Sequence, residues 1–92
     1  MTTQTWPFKD PDEVLDYSID WTKRLDGDTI ASSTFFVADG TIVIDSNTFT
    51  ATGTTVWLSG GTLDETNTIT NRIMTAGTRI MDQSVRLKIK TK

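Results

Sequence analysis

Ninety-two residues make a single domain with one modest core, able to bury about 60–65% of the surface that the unfolded chain exposes. The chain has no cysteine and no histidine, which excludes disulfides and thiolate metal sites and removes the usual neutral-pH general base, so the composition argues against an enzyme. Nine basic against twelve acidic residues give a net charge of −3, without the basic footprint that nucleic acid requires.

The charges are unevenly placed. Asp10, Asp12, Glu13, Asp16 and Asp20 crowd the first quarter, whereas Arg86, Lys88, Lys90 and Lys92 close the chain. Solvated strand faces account for this, and pairing of a first with a last strand or head-to-tail association of copies is compatible with it. No apolar run approaches the ~18 residues of a membrane span, so no membrane partner is expected. The first residues carry neither a positive region nor an apolar one, so no signal peptide is expected.

Residues 1–10 read as an extended N-terminal arm, with Trp6 and Phe8 on either side of Pro7, ahead of one β-sandwich domain over 11–92. The arm's aromatics have two uses, folding back on the sandwich or docking on a neighbour. Asp10-Pro11-Asp12-Glu13 is a helix-start signal, an acid at the N-cap and a glutamate three residues on. It leads nowhere helical, because Leu15, Tyr17, Ile19 and Trp21 alternate with Asp16, Ser18, Asp20 and Thr22. At most one helical turn therefore precedes the first strand, which carries its large residues inward.

Asp26-Gly27-Asp28 is a turn; its two aspartates lack the ligand ladder of a calcium loop. Ile30 to Val37 is a strand, with the adjacent Phe35 and Phe36 demanding a bulge or an exposed ring. Asp39-Gly40 predicts a hairpin to the strand Thr41–Ile44, and Asp45-Ser46-Asn47 predicts another turn. Phe49–Thr52 and Thr54–Leu58 follow, as one strand bent at Gly53 or as two. Within the second of these, alternation forces either Trp57 or its neighbours Val56 and Leu58 outward.

After a polar loop at Ser59–Thr62, Thr66 to Lys90 reads as a β-hairpin turning at Ala76-Gly77-Thr78, with Gly77 expected at positive φ. Its return arm sets Val85, Leu87 and Ile89 on a dry face and Ser84, Arg86, Lys88 and Lys90 on a wet one. About seven short strands with regular turns predict an all-β fold, an immunoglobulin-like or fibronectin-III-like antiparallel sandwich.

No catalytic, cofactor or metal residues emerge. Asp16 and Asp20 share a strand face but stand about 13 Å apart, too far for glycosidase chemistry. Trp6, Phe8 and Trp57 are the candidate partner contacts, since large aromatics outside a core mark contact surfaces. A flat tryptophan also suits a sugar, so a carbohydrate- or cell-surface-binding module is the alternative to protein binding.

Four blocks carry a resemblance: Lys9 to Trp21, Asp28-Thr29-Ile30, Thr55 to Thr62, and Thr70 to Gly77. In this order they resemble the fiber-tail adaptors of tailed phages and prophages. The resemblance implies an immunoglobulin-like, non-catalytic virion protein, made in the host bacterial cytoplasm, that joins tail or tail-fibre parts and binds other virion proteins. Such sandwiches often carry a tyrosine ahead of the penultimate strand, where this chain has Asn67.

Overall fold

The computed structural model describes residues 4–92. Seven strands and one helical turn follow in the order β1 (Gln4–Thr5), β2 (Leu15–Asp20), α1 (Thr22–Leu25), β3 (Ile30–Asp39), β4 (Ile42–Phe49), β5 (Gly53–Gly60), β6 (Thr66–Thr75) and β7 (Ile80–Lys88). They form two sheets, β1-β7-β6-β3 and β2-β5-β4. All pairs are antiparallel except β1 with β7. The fold is an all-β sandwich. Strands two to seven group as they do in constant-type immunoglobulin sandwiches, while the first lies on the other sheet, beside the last.

Alternation builds the two best-defined strands. On β2, Tyr17 and Ile19 are buried and Asp16, Ser18 and Asp20 exposed; on β7 and just beyond it, Val85, Leu87 and Ile89 are fully covered. These side chains meet Val56, Leu58, Ile69 and Ile73 from the strands between, and Trp21 closes one end.

The capping signal at Asp10 makes a turn and no helix. Asp10 N–H donates to Glu13 Oε1 and Asp12 N–H to Asp10 Oδ1, both at 2.9 Å. The single helical turn comes after β2 instead. There Asp20 accepts both the amide (2.9 Å) and the hydroxyl (2.6 Å) of Thr22, and Asp26, at φ 49°, ends the turn.

Two expected turns and one expected strand are corrected between β3 and β5. Asp39-Gly40 does not join a hairpin: β3 pairs with β6 and β4 with β5, so the chain crosses from one sheet to the other there. Asp45-Ser46-Asn47 lies inside β4, where Ile44 faces Leu58 and Ser46 faces Trp57; Asp45 is the extra residue of a β-bulge. Of the strand expected at Phe49–Thr52, Phe49 ends β4 and residues 50–52 form the β4–β5 turn, closed by Thr50 N–H on the Gly53 carbonyl (2.8 Å). Strand β5 is thus continuous from Gly53.

In the β6–β7 turn the left-handed residue is Thr78, at φ 68°, and not Gly77. Gly77 is needed for closeness: a Cβ there would lie 2.7 Å from Asp28 Oδ2. Its amide donates to Asp28 Oδ1 at 3.1 Å, tying the hairpin tip to the loop before β3.

Candidate partner-binding surfaces

The N-terminal segment is extended and lies on its own sandwich. Gln4 and Thr5 run parallel to Val85 and Arg86, Trp6 N–H donates to the Arg86 carbonyl (2.9 Å) and Lys9 N–H to that of Lys88 (3.1 Å). Trp6 and Phe8, on either side of Pro7, have different surroundings. Trp6 is 8% exposed and stacks on Tyr17 with centroids 4.8 Å apart, whereas Phe8 is 52% exposed with the Lys90 ammonium 5.5 Å from its ring. The part of the arm before Gln4 lies outside the described residues.

Lys9 is fully covered, and its Nζ donates to the carbonyls of Gly60 (2.7 Å) and Asp10 (2.9 Å). Burial lowers its pKa, with Glu13 and Asp10 partly offsetting the effect. Lys9 therefore fastens the segment to the end of β5.

Trp57 stands on the outer face of the three-stranded sheet, 42% exposed, because Val56 and Leu58 on either side are drawn fully into the core. The pairing register puts Asp16 opposite it on β2 and Ser46 on β4, with the bulged Asp45 adjoining. Asp45 is held outward by the Ser59 hydroxyl (3.0 Å). The exposed Val14 and Val43 flank the end of the same sheet. The result is an apolar island centred on an indole and rimmed by carboxylates.

The opposite outer face, on the four-stranded sheet, carries Phe36 under the Arg72 guanidinium, 5.6 Å from ring centre to Cζ. Arg72 also grips Asp82 through two bonds of 2.9 and 3.0 Å, which holds the Asp82 carboxyl below its ordinary range. Phe36 is thus the exposed ring of the aromatic pair, and Phe35 is buried. Met74 and Ile80 extend this face toward the hairpin tip, and both are exposed.

Of the three residues expected to touch partners, the structure leaves Phe8 and Trp57 open and turns Trp6 inward. The two open rings lie on different faces and form no single site. Sequence reasoning expected a bulge or an exposed ring at Phe35-Phe36 without saying which ring, and did not single out Met74 or Ile80.

The deepest polar cluster is structural. Asn71 Oδ1 accepts from Trp21 Nε1 (3.0 Å) and Thr54 Oγ1 (2.7 Å), while its Nδ2 donates to Ser33 Oγ and the Thr34 carbonyl, both at 3.0 Å. All its hydrogen-bonding capacity is absorbed inside the sandwich, leaving nothing for a ligand. Among the described residues no group of three or more metal-ligating side chains converges. None of their helices is long and apolar enough to cross a membrane.

Residues 9–88 match the family model described as podophage GP4 fiber-tail adaptor protein gp77. The chain belongs to this fiber-tail adaptor family. No curated protein matches it. A fiber-tail adaptor is a structural protein of the phage tail, which implies interaction with other tail proteins. The matched span takes in every strand but β1, including Trp57, and leaves Trp6 and Phe8 just outside.

Proposed function

We propose that this adaptor is a non-catalytic connector in the virion tail that joins tail and tail-fibre proteins through the surfaces around Trp57 and Phe8. The observation that carries the reading is the family match over residues 9–88. The geometry supports it: an interlocked sandwich suits a load-bearing joint, and large exposed aromatics on separate faces suit contacts with more than one protein. Trp6 serves the joint indirectly, by anchoring the segment that presents Phe8. The immunoglobulin-like grouping of the strands adds a rigid scaffold of the kind many binding proteins share, but carries no activity of its own.

Immunogold electron microscopy of purified particles, with an antibody against this domain, tests the proposal. Label at one fixed point of the tail is the expected result; particles without label overturn it.

The exposed Trp57 also favours a second reading, a glycan-binding surface, because a flat indole beside carboxylates and hydroxyls can stack on a sugar and bond its hydroxyls. Titration of a broad glycan panel, followed by tryptophan fluorescence, decides this. A saturable change that Trp57→Ala abolishes supports the glycan; no response on the panel eliminates it.

A further inference from the structure

The outer faces around Trp57 and around Arg86 carry opposite charge. Strands β2, β4 and β5 contain Asp16, Asp20 and Asp45 and no lysine or arginine. Asp16 and Asp45 border Trp57 and take part in no ion pair among the described residues. On the other sheet, Arg86 and Lys88 point outward from β7, since Val85, Leu87 and Ile89 between them are buried. Lys90 continues the row over the exposed Phe8. The one carboxylate of β7, Asp82, is already bonded to Arg72. The β6 residues facing Lys88 and Arg86 are the neutral Thr66 and Thr68. One face thus offers an indole between two unpaired carboxylates; the other offers a row of cations beside a phenyl ring.

An arginine or lysine entering over Trp57 gains a cation–π contact and the attraction of both carboxylates. The same chain presents such cations on its far side. We infer that the Trp57 face docks on the Arg86–Lys88 face of a second copy, so that copies associate head to tail through unlike surfaces. The contact is heterologous, leaving each pair with one free face of either kind, and it propagates until geometry closes it or another protein caps it. The inference rests on reading the Trp57 face as a contact surface, and is independent of where in the virion the protein sits.

Analytical ultracentrifugation of the full chain, from micromolar to millimolar concentration, is the test. At low salt the average mass should rise with concentration without a plateau at the dimer, and at ~1 M salt, where charges are screened beyond about 3 Å, the association should largely disappear. Trp57→Ala should weaken association by ~tenfold or more, as expected for a central aromatic contact. The decisive step is a charge swap. Asp16→Lys with Asp45→Lys makes both faces basic, and Arg86→Glu with Lys88→Glu makes both acidic. Each double variant alone should remain monomeric with an unchanged far-ultraviolet spectrum, and an equimolar mixture of the two should associate. A wild type that stays monomeric at low salt, association that survives both reversals, or a mixture that fails to associate each overturns the inference. Since the assay contains no other virion protein, its failure leaves the tail location untouched, and unlabelled particles in the microscopy leave the self-association untouched.

Discussion

Trp21 donates its indole N–H to Asn71 Oδ1 at 3.0 Å, a bond that joins the end of β2 in one sheet to the middle of β6 in the other. The indole is completely buried and also has the Arg24 guanidinium 4.9 Å above its ring. It fills the end of the core and satisfies a buried amide at the same time.

Two substitutions separate those roles. Trp21→Ala should destabilise the fold by about 3–5 kcal/mol, the range for removing a large aromatic from a core. Trp21→Phe keeps much of the bulk and leaves Asn71 Oδ1 with the Thr54 hydroxyl as its remaining partner, so about 1–2 kcal/mol is expected. Urea melts of both variants measure this. A loss under about 1 kcal/mol for the alanine variant contradicts the inward position of Trp21.

What the sequence disclosed followed from how many faces of each strand are wet. Strands β2 and β7 have one dry face and one wet, so Tyr17 and Ile19, and Val85 and Leu87, announced their orientation by alternation. The ambiguity at Val56-Trp57-Leu58 could be stated but not resolved, since three consecutive apolar residues look alike until the neighbouring sheet chooses two of them. Strand β4 is exposed along nearly its whole length beyond Ile42, so its bulge and edge tolerate Asp45, Ser46 and Asn47, and those residues mimicked a turn. Asp39-Gly40 signalled that the chain reverses; no local signal tells whether it returns to its own sheet or the other. Asn71 was invisible because its role depends on Trp21 and Thr54, which are far away in sequence. The contact surfaces were half legible: Trp57 and Phe8 stood out as aromatics, whereas Trp6 could not be assigned inward before Tyr17 was known to lie beneath it.

Gly40 is the glycine whose replacement should do most harm. It sits at φ 113°, and a Cβ there would lie 1.8 Å from Asn67 Oδ1. That oxygen cannot move freely, because it accepts the Ile42 amide (3.1 Å) as β4 begins. Asn67 is fully buried and its Nδ2 has no hydrogen-bond partner among the described residues, though the side chain lies close enough to help hold Glu65 ionised. Gly40→Ala should therefore cost upwards of about 2 kcal/mol, from both backbone strain and displacement of Asn67. Gly27→Ala is the control: φ is 87° but no atom lies within 4 Å of the added carbon, so only strain, about 1 kcal/mol, is expected. Equal effects at the two positions would show that the Asn67 contact does not matter.

Acid should weaken the fold through a common mechanism. The Thr75 hydroxyl and the Thr29 amide hold Asp28 below its ordinary 3.8. The Asp10 amide and Lys92 hold Glu13 below its ordinary 4.5, and Thr41 does the same for Glu65. A carboxyl whose folded pKa is depressed contributes stability above its unfolded value and loses it as pH falls through the folded one. The melting temperature should thus stay level from neutral pH to about 5 and drop below that. The chain has no histidine to titrate in between. Thermal melts followed by circular dichroism check the profile, and a decline already under way at pH 6–7 contradicts it.

Trp6 and Phe8 should part company when each is replaced by alanine. Trp6 is buried on Tyr17, and the segment around it is tied down by the bonds of Trp6 and Lys9 to β7 and by Lys9 to Gly60. Trp6→Ala removes that stacked ring from the sandwich end and should cost about 3 kcal/mol. Phe8 is half exposed, with the Lys90 ammonium 5.5 Å from its ring centre, so Phe8→Ala should change stability by no more than about 0.5 kcal/mol. If Phe8 contacts another tail protein, its alanine variant should fold and melt normally yet be depleted from particles, while Trp6→Ala loses stability and incorporation together. Urea melts combined with quantification of the protein in purified particles separate the cases. Normal incorporation of Phe8→Ala would remove Phe8 from the contact surface and leave Trp57 as its aromatic centre.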